Sequence, residues 1–186
     1  MTFASDLAFS QKYENELISL IKGHVKVETS QDKGLFKEWD VRFTFPDGHT
    51  EAHEVKCDRN GYKTGNVLVE FECSGQPSGI QTTKSDYYSF FIISPNGDYT
   101  CIILETEHVR QQINNNKYTR IIDMRGRDEN NNNGRLYLFN IDTLIGDCGM
   151  EDLPVEAESS EEEEEPVKND TNNAQNDKTK CTVFAP

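Results

Sequence analysis

Residues 39–45 read Trp-Asp-Val-Arg-Phe-Thr-Phe, and this alternation constrains the chain more than any other stretch. Successive side chains of a strand point to opposite faces. Trp39, Val41, Phe43 and Phe45 therefore share one face, and Asp40 and Arg42 share the other. Pro46-Asp47-Gly48 supplies a turn, and Glu51-Ala52-His53-Glu54-Val55-Lys56-Cys57 returns as a second strand. A helix would scatter these apolar residues around its circumference, so an antiparallel pair is the fold this stretch allows.

The pairing matters because of what its polar face carries. Glu54 and Lys56 share a face, with Val55 on the other, and a hairpin can set Asp40 beside Glu54. Thirteen residues separate the two acids, enough for a turn and most of two strands. Two carboxylates at one spot repel, and a hard divalent cation relieves the repulsion. A neighbouring lysine can orient a water or stabilise charge growing on a phosphate. His53 points away from Glu54 and reads as structural or surface.

The remaining segments give an order of elements. Leu7–Lys22 is a helix capped by Ser5 or Asp6, with Tyr13, Leu17, Leu20 and Ile21 on one face and Gly23 at its end. Residues 24–29 and 66–73 alternate as strands, and Val67, Val69 and Phe71 face opposite to Glu70 and Glu72. Gly75–Gly79 breaks the sheet, and a short helix over 80–86 follows, with Ser78 as a cap candidate. Strands at 87–93 and 99–104 flank the turn Pro95-Asn96-Gly97-Asp98. A helix at 106–113, strands at 117–124 and 135–139, and a helical turn at 141–145 complete the body.

Asp40 with Glu54-Val55-Lys56 resembles the PD-(D/E)XK nuclease superfamily, whose pattern is an acid on one strand and (D/E)-x-K on the next. Trp39 stands where the family name has proline. The segment Ser78–Tyr88 is similar to the part that follows the core in small phage-encoded nuclease-like proteins. The resemblance covers roughly residues 6–94. It implies an α+β fold of the α/β kind: a mixed central sheet with flanking helices and a restriction-endonuclease-like α-β-β-β-α-β core. It implies a deoxyribonuclease dependent on Mg²⁺ or Mn²⁺, with DNA as substrate. Asp40, Glu54 and the Val55 carbonyl would hold the metal, and Lys56 would orient the attacking water. Glu14 on the first helix and Glu70 one strand beyond Lys56 are further acids that could approach the ion. Their ordinary alternative is solvation. Ser78, Gln81, Thr82, Thr83 and Lys84 are expected to contact DNA phosphate, since a helix start favours anions. Capping and solvation explain the same residues without DNA.

Charge divides the chain at about residue 150. Residues 151–186 hold 11 acidic and 3 basic residues, and carry −8 of the −14 formal charge. Glu161–Glu165 is an unbroken run. Such a segment buries too little to offset its conformational entropy. The expectation is therefore a globular domain at 1–150 and a disordered acidic tail at 151–186. The tail ends in the small apolar tip Cys181–Pro186. An acidic tail with a hydrophobic tip resembles the tails of bacterial-type single-stranded-DNA-binding proteins. The alternative reading is accordingly a non-catalytic single-stranded-DNA-binding or partner-recruiting protein. Five dispersed cysteines without a C-x-x-C pair argue for reduced thiols and against zinc. No signal-peptide pattern and no membrane-length apolar run is present, so the expected location is the cytoplasm, the host's if the protein is phage-encoded.

Overall fold

A computed structural model describes residues 3–33, 38–124, 133–146 and 181–184. Helix α1 (Phe3–Leu20) precedes strands β1 (Lys26–Thr29), β2 (Val41–Thr44) and β3 (Thr50–Asp58). A four-residue helix α2 (Gly61–Thr64) leads to β4 (Asn66–Cys73) and β5 (Gln76–Pro77). Then come β6 (Tyr87–Ile93), β7 (Tyr99–Glu105), α3 (Thr106–Asn114), β8 (Arg120–Asp123), β9 (Gly134–Asn140), α4 (Ile141–Ile145) and β10 (Cys181–Phe184).

The strands form two sheets. The larger runs β1-β2-β3-β6-β7-β10, and the smaller runs β5-β4-β9-β8. Within the larger sheet only β3 and β6 are parallel, with Glu54 opposite Tyr88 and Lys56 opposite Phe90. A parallel pair needs a crossover, and here the crossover contributes two strands to the smaller sheet.

The larger sheet is covered on both faces. On one, Tyr13 and Leu17 of α1 pack against Val41, Phe43, Val55, Phe91 and Ile103. On the other, Tyr88, Phe90, Ile102 and Leu104 meet Val67, Val69, Phe71 and Phe139 of the smaller sheet, with Val109 and Leu144 closing one end. This explains why β6 reads Tyr-Tyr-Ser-Phe-Phe-Ile-Ile: a strand buried on both faces loses its alternation. Each such side chain contributes about 1.5–3 kcal/mol on burial.

Three expectations need correction. The predicted helix over 80–86 is a 3-10 turn at Gly79–Gln81 followed by extended chain. The Ser78 side chain does not cap it. Instead Ser78 donates to Glu70 Oε1 at 2.6 Å, which draws the turn onto β4. Gly79 permits that approach: its φ is +51°, and a Cβ there would lie 2.3 Å from the Glu70 carbonyl oxygen. The α-β-β-β-α-β order also departs at its second helix, because the crossover holds the four-residue α2, two strands of the smaller sheet and the 3-10 turn in place of a full helix. Finally, residues 151–186 do not lie wholly apart from the body. Cys181–Phe184 pairs antiparallel with β7, because its extended apolar residues match an open sheet edge. The Glu161–Glu165 run lies outside the described residues. No helix among those described is long and apolar enough to cross a membrane.

Candidate active site

The site forms where β2 stops and β3 continues. Val41 opposite His53 is the final pair of that ladder, while β3 runs on to Asp58. The edge of β3 beyond His53 is thus open on the β2 side. Asp40 turns its side chain into the gap, and its Oδ2 accepts the Val55 N–H at 2.8 Å. Backbone groups of a strand alternate sides, so the Val55 carbonyl faces the same opening.

Glu54 and Lys56 lie on the face turned toward the smaller sheet. Lys56 Nζ donates to Glu54 Oε1 at 2.6 Å. The Thr83 hydroxyl reaches Glu54 Oε2 at 3.1 Å. Thr83 is itself held by Ser85, whose N–H donates to Thr83 Oγ1 at 3.1 Å. Both residues are buried. Their position is fixed by the Lys84 N–H, which donates to the Glu38 carbonyl at 2.8 Å.

A third acid arrives from α1. Glu14 follows the core residue Tyr13 and is only 6% exposed. Gln31, in the 3-10 turn after β1, donates to Glu14 Oε2. Charge and burial then set the protonation pattern. Burial and the nearby Glu54 carboxylate push the Asp40 carboxyl up to about 6, against the pull of Lys56 and the Val55 N–H. Burial raises Glu14, opposed by Gln31 and Lys56. Burial alone would lower the Lys56 ammonium, but Glu54 and Asp40 outweigh it and hold Lys56 above its usual value. The Lys56 ammonium is thus bonded to Glu54 and lies within the field of Asp40 and Glu14. The Tyr88 hydroxyl, opposite Glu54 in the ladder, is buried without a partner among the described residues.

Beside this cluster lies a cleft of about 530 Å³ between α1, β3 and the smaller sheet. Lys56 and Glu70 both line it, as does Arg59, whose guanidinium sits 3.6 Å from the centre of the Phe9 ring.

Asp40, Glu54, Lys56 and Glu14 therefore come together, with Val55 supplying backbone. Glu70 reaches the cleft but is tied to Ser78. The expected phosphate contacts divide. Gln81, Thr82 and Lys84 are exposed, and Lys84 pairs with Glu38. Thr83 is turned inward, because its hydroxyl serves Glu54. Sequence reasoning missed Gln31, Ser85 and Tyr88. Only Tyr88 carried a signal, since a parallel partner for β3 must set some residue opposite Glu54.

Among the described residues no group of three or more His, Cys, Asp or Glu side chains is spaced to hold a metal ion. The donors present still suit a hard cation that keeps several waters. They are the Asp40 and Glu54 carboxylates and the Val55 carbonyl, with Glu14 close by. Asp40, raised by burial and then by a like charge, is the kind of group such an ion would relieve. Comparisons with family models and with curated proteins found no match to this chain.

Proposed function

We propose that this protein is a metal-dependent deoxyribonuclease of the PD-(D/E)XK type, which hydrolyses DNA phosphodiester bonds. The observation that carries this reading is the convergence of Asp40, Glu54 and Lys56 at the end of β2, beside an open cleft. Chance E-x-K triplets occur in many strands. A triplet whose glutamate and lysine touch, beside a half-buried acid of raised pKa, is a more specific arrangement.

Further support comes from topology. Helix α1 precedes three antiparallel strands, and β6 then adds parallel to β3. That is the order of a restriction-endonuclease-like core, apart from the missing crossover helix.

Asp40, Glu54 and the Val55 carbonyl would hold the divalent cation, with Glu14 at its margin. When bound, Mg²⁺ or Mn²⁺ would provide Lewis acidity toward the phosphate and a more acidic water. The chain's own residues do the positioning. Lys56 keeps its proton, so it acts by orienting water and stabilising phosphate charge rather than as a general base. Thr83 and Lys56 each hold one oxygen of Glu54, which fixes the carboxylate plane. Arg59 and Lys56 bring two positive charges to the cleft, beside Asp58 and Glu70, which also line it.

The test is incubation of purified protein with duplex, single-stranded and branched DNA in Mg²⁺, Mn²⁺ or EDTA. Cleavage that needs the metal and vanishes in Lys56→Ala supports the reading. Metal-independent binding without cleavage of any substrate would sink it in favour of a binding module.

A further inference from the structure

The outer edge of β7 is covered by the last described segment of the chain. Cys181 lies opposite Leu104, Thr182 opposite Ile103, Val183 opposite Ile102 and Phe184 opposite Cys101. Thirty-four residues, 147–180, separate this strand from the end of the body at Gly146. The strand is short beside its partner, four residues against seven, so Tyr99, Thr100 and Glu105 of β7 lie outside the pairing.

The edge beneath it carries few of the devices that keep sheets from pairing with one another: its one charge, Glu105, stands at the strand's end. Tyr99–Glu105 contains no proline and no lysine, and its pairing with β6 is regular, without a bulge. Cys101 through Leu104 are buried. A flat, apolar edge of this length is a template for another strand.

We propose that the β7 edge is a self-association surface, masked in cis by Cys181–Phe184, and that a second copy of this chain pairs with it β7 to β7 when the tip is detached. A strand that pairs antiparallel with its own copy obeys a two-fold axis, so its contacts are self-complementary. A register centred on Ile102 sets Tyr99 opposite the other copy's Glu105 and Cys101 opposite its Ile103. No Glu105 then meets its twin. All seven residues would be paired, where the tip pairs four. The joined sheet would run β1-β2-β3-β6-β7 from each copy, ten strands, which is within the usual limit for an open sheet.

The tip is suited to masking rather than to building the core. Val183 packs against the cluster that holds Ile102 and Leu104. Few hydrogen bonds hold a four-residue strand, and each has a small net worth. It prevails because it is tethered, at an effective concentration on the order of millimolar.

The experiment is sedimentation velocity at micromolar protein and about 0.15 M salt, where repulsion between the acidic copies is screened. Two variants are compared with the full chain: deletion of Cys181–Pro186, and Val183→Asp. The near-UV signal of Trp39 reports folding. The expected result is a monomer for the full chain and a dimer for both variants, with the Trp39 signal retained. A synthetic peptide of residues 180–186 should return the deletion variant to monomer, and the same peptide carrying Val183→Asp should not. Variants that stay monomeric overturn the proposal. So does a full chain that dimerises equally. Loss of the Trp39 signal in either variant also overturns it, since the tip would then belong to the core.

Discussion

Asp40 completes the backbone ladder of Val55. Its Oδ2 accepts the Val55 N–H at 2.8 Å, in the place a β2 carbonyl would occupy if the strand continued. One side chain thus ends a strand, satisfies a buried donor and presents a carboxylate near Glu54 and Lys56. The residue is structural and chemical at once, and its two roles pull against each other.

That conflict yields a prediction about stability. The folded Asp40 pKa of about 6 lies above the ordinary 3.8. A group raised in the folded state stabilises fully below its unfolded value and loses that contribution as pH rises through the folded one. The metal-free protein should therefore lose about 2–3 kcal/mol between roughly pH 4 and pH 6 from this residue. Asp40→Asn keeps an acceptor for the Val55 N–H but carries no charge. In EDTA at pH 8 it should melt above the wild type, and at pH 4 the difference should vanish. Equal melting temperatures at pH 8 would show that Asp40 is not strained by its neighbours.

Cation binding should offset the same repulsion. Mn²⁺ should raise the melting temperature of the wild type at pH 8 and leave an Asp40→Asn, Glu54→Gln double variant unmoved, because an ion that binds the folded state alone stabilises by mass action. Titration calorimetry measures the site directly. Equal binding by both proteins would remove it.

Lys56→Ala should reduce cleavage by roughly 10²-fold or more, the scale of losing a positioned charge. It should also cost about 1–3 kcal/mol of stability, because Glu54 Oε1 loses its donor. Lys56→Arg should not restore the rate, since a planar guanidinium cannot take the place of a compact ammonium. Single-turnover cleavage beside urea denaturation separates the two effects.

Thr83→Val removes one hydroxyl at nearly constant volume. Glu54 Oε2 then loses its 3.1 Å partner while Lys56 still holds Oε1. Metal affinity or turnover should fall about 10- to 100-fold, the usual range for a residue that supports a ligand. Thr83→Ser should recover most of the loss. If Thr83→Val cleaves at the wild-type rate, Thr83 is only packing.

The acidic run makes a separate prediction about DNA affinity. Glu161–Glu165 is tethered at both ends, to Gly146 on one side and to β10 on the other. A tethered polyanion competes with DNA phosphate for Lys56, Arg59 and other cations of the body. Changing the five glutamates to glutamine should raise DNA affinity several-fold at low salt and little at high salt. Identical affinities across the salt series would leave the run a role in solubility or partner recruitment.

The sequence made the site legible because the site is mostly local. Asp40, Glu54, Val55 and Lys56 belong to one hairpin, and period-two alternation placed their side chains. Glu14 was visible as an acid beside an apolar stripe, but Gln31 and its bond to Glu14 depend on how β1 turns into β2. Thr83 was read as a solvent-facing phosphate contact on a helix. Its inward turn follows from the short 3-10 segment that Gly79 permits, and from the Glu38 carbonyl holding Lys84. The second sheet was equally hidden. The pairing of β4 with β9 joins segments about seventy residues apart, and alternation within a strand does not say which strand lies beside it. The tip at Cys181–Phe184 was seen as apolar, yet nothing within it named β7 as its partner.

The parallel register of β3 and β6 has a kinetic consequence. Glu54 reaches Lys56 and Asp40 through a hairpin that closes a short loop, whereas Thr83 and Tyr88 reach Glu54 only after residues 59–86 have been drawn into the crossover and the second sheet. Longer loops close later because more chain entropy must be lost before any contact rewards it. The acids and the lysine are thus neighbours early in folding, and the hydroxyl that fixes the glutamate arrives last. A nascent chain would carry the charged half of its centre before it could align it, and the aligned Glu54 carboxylate would mark the end of folding rather than its beginning.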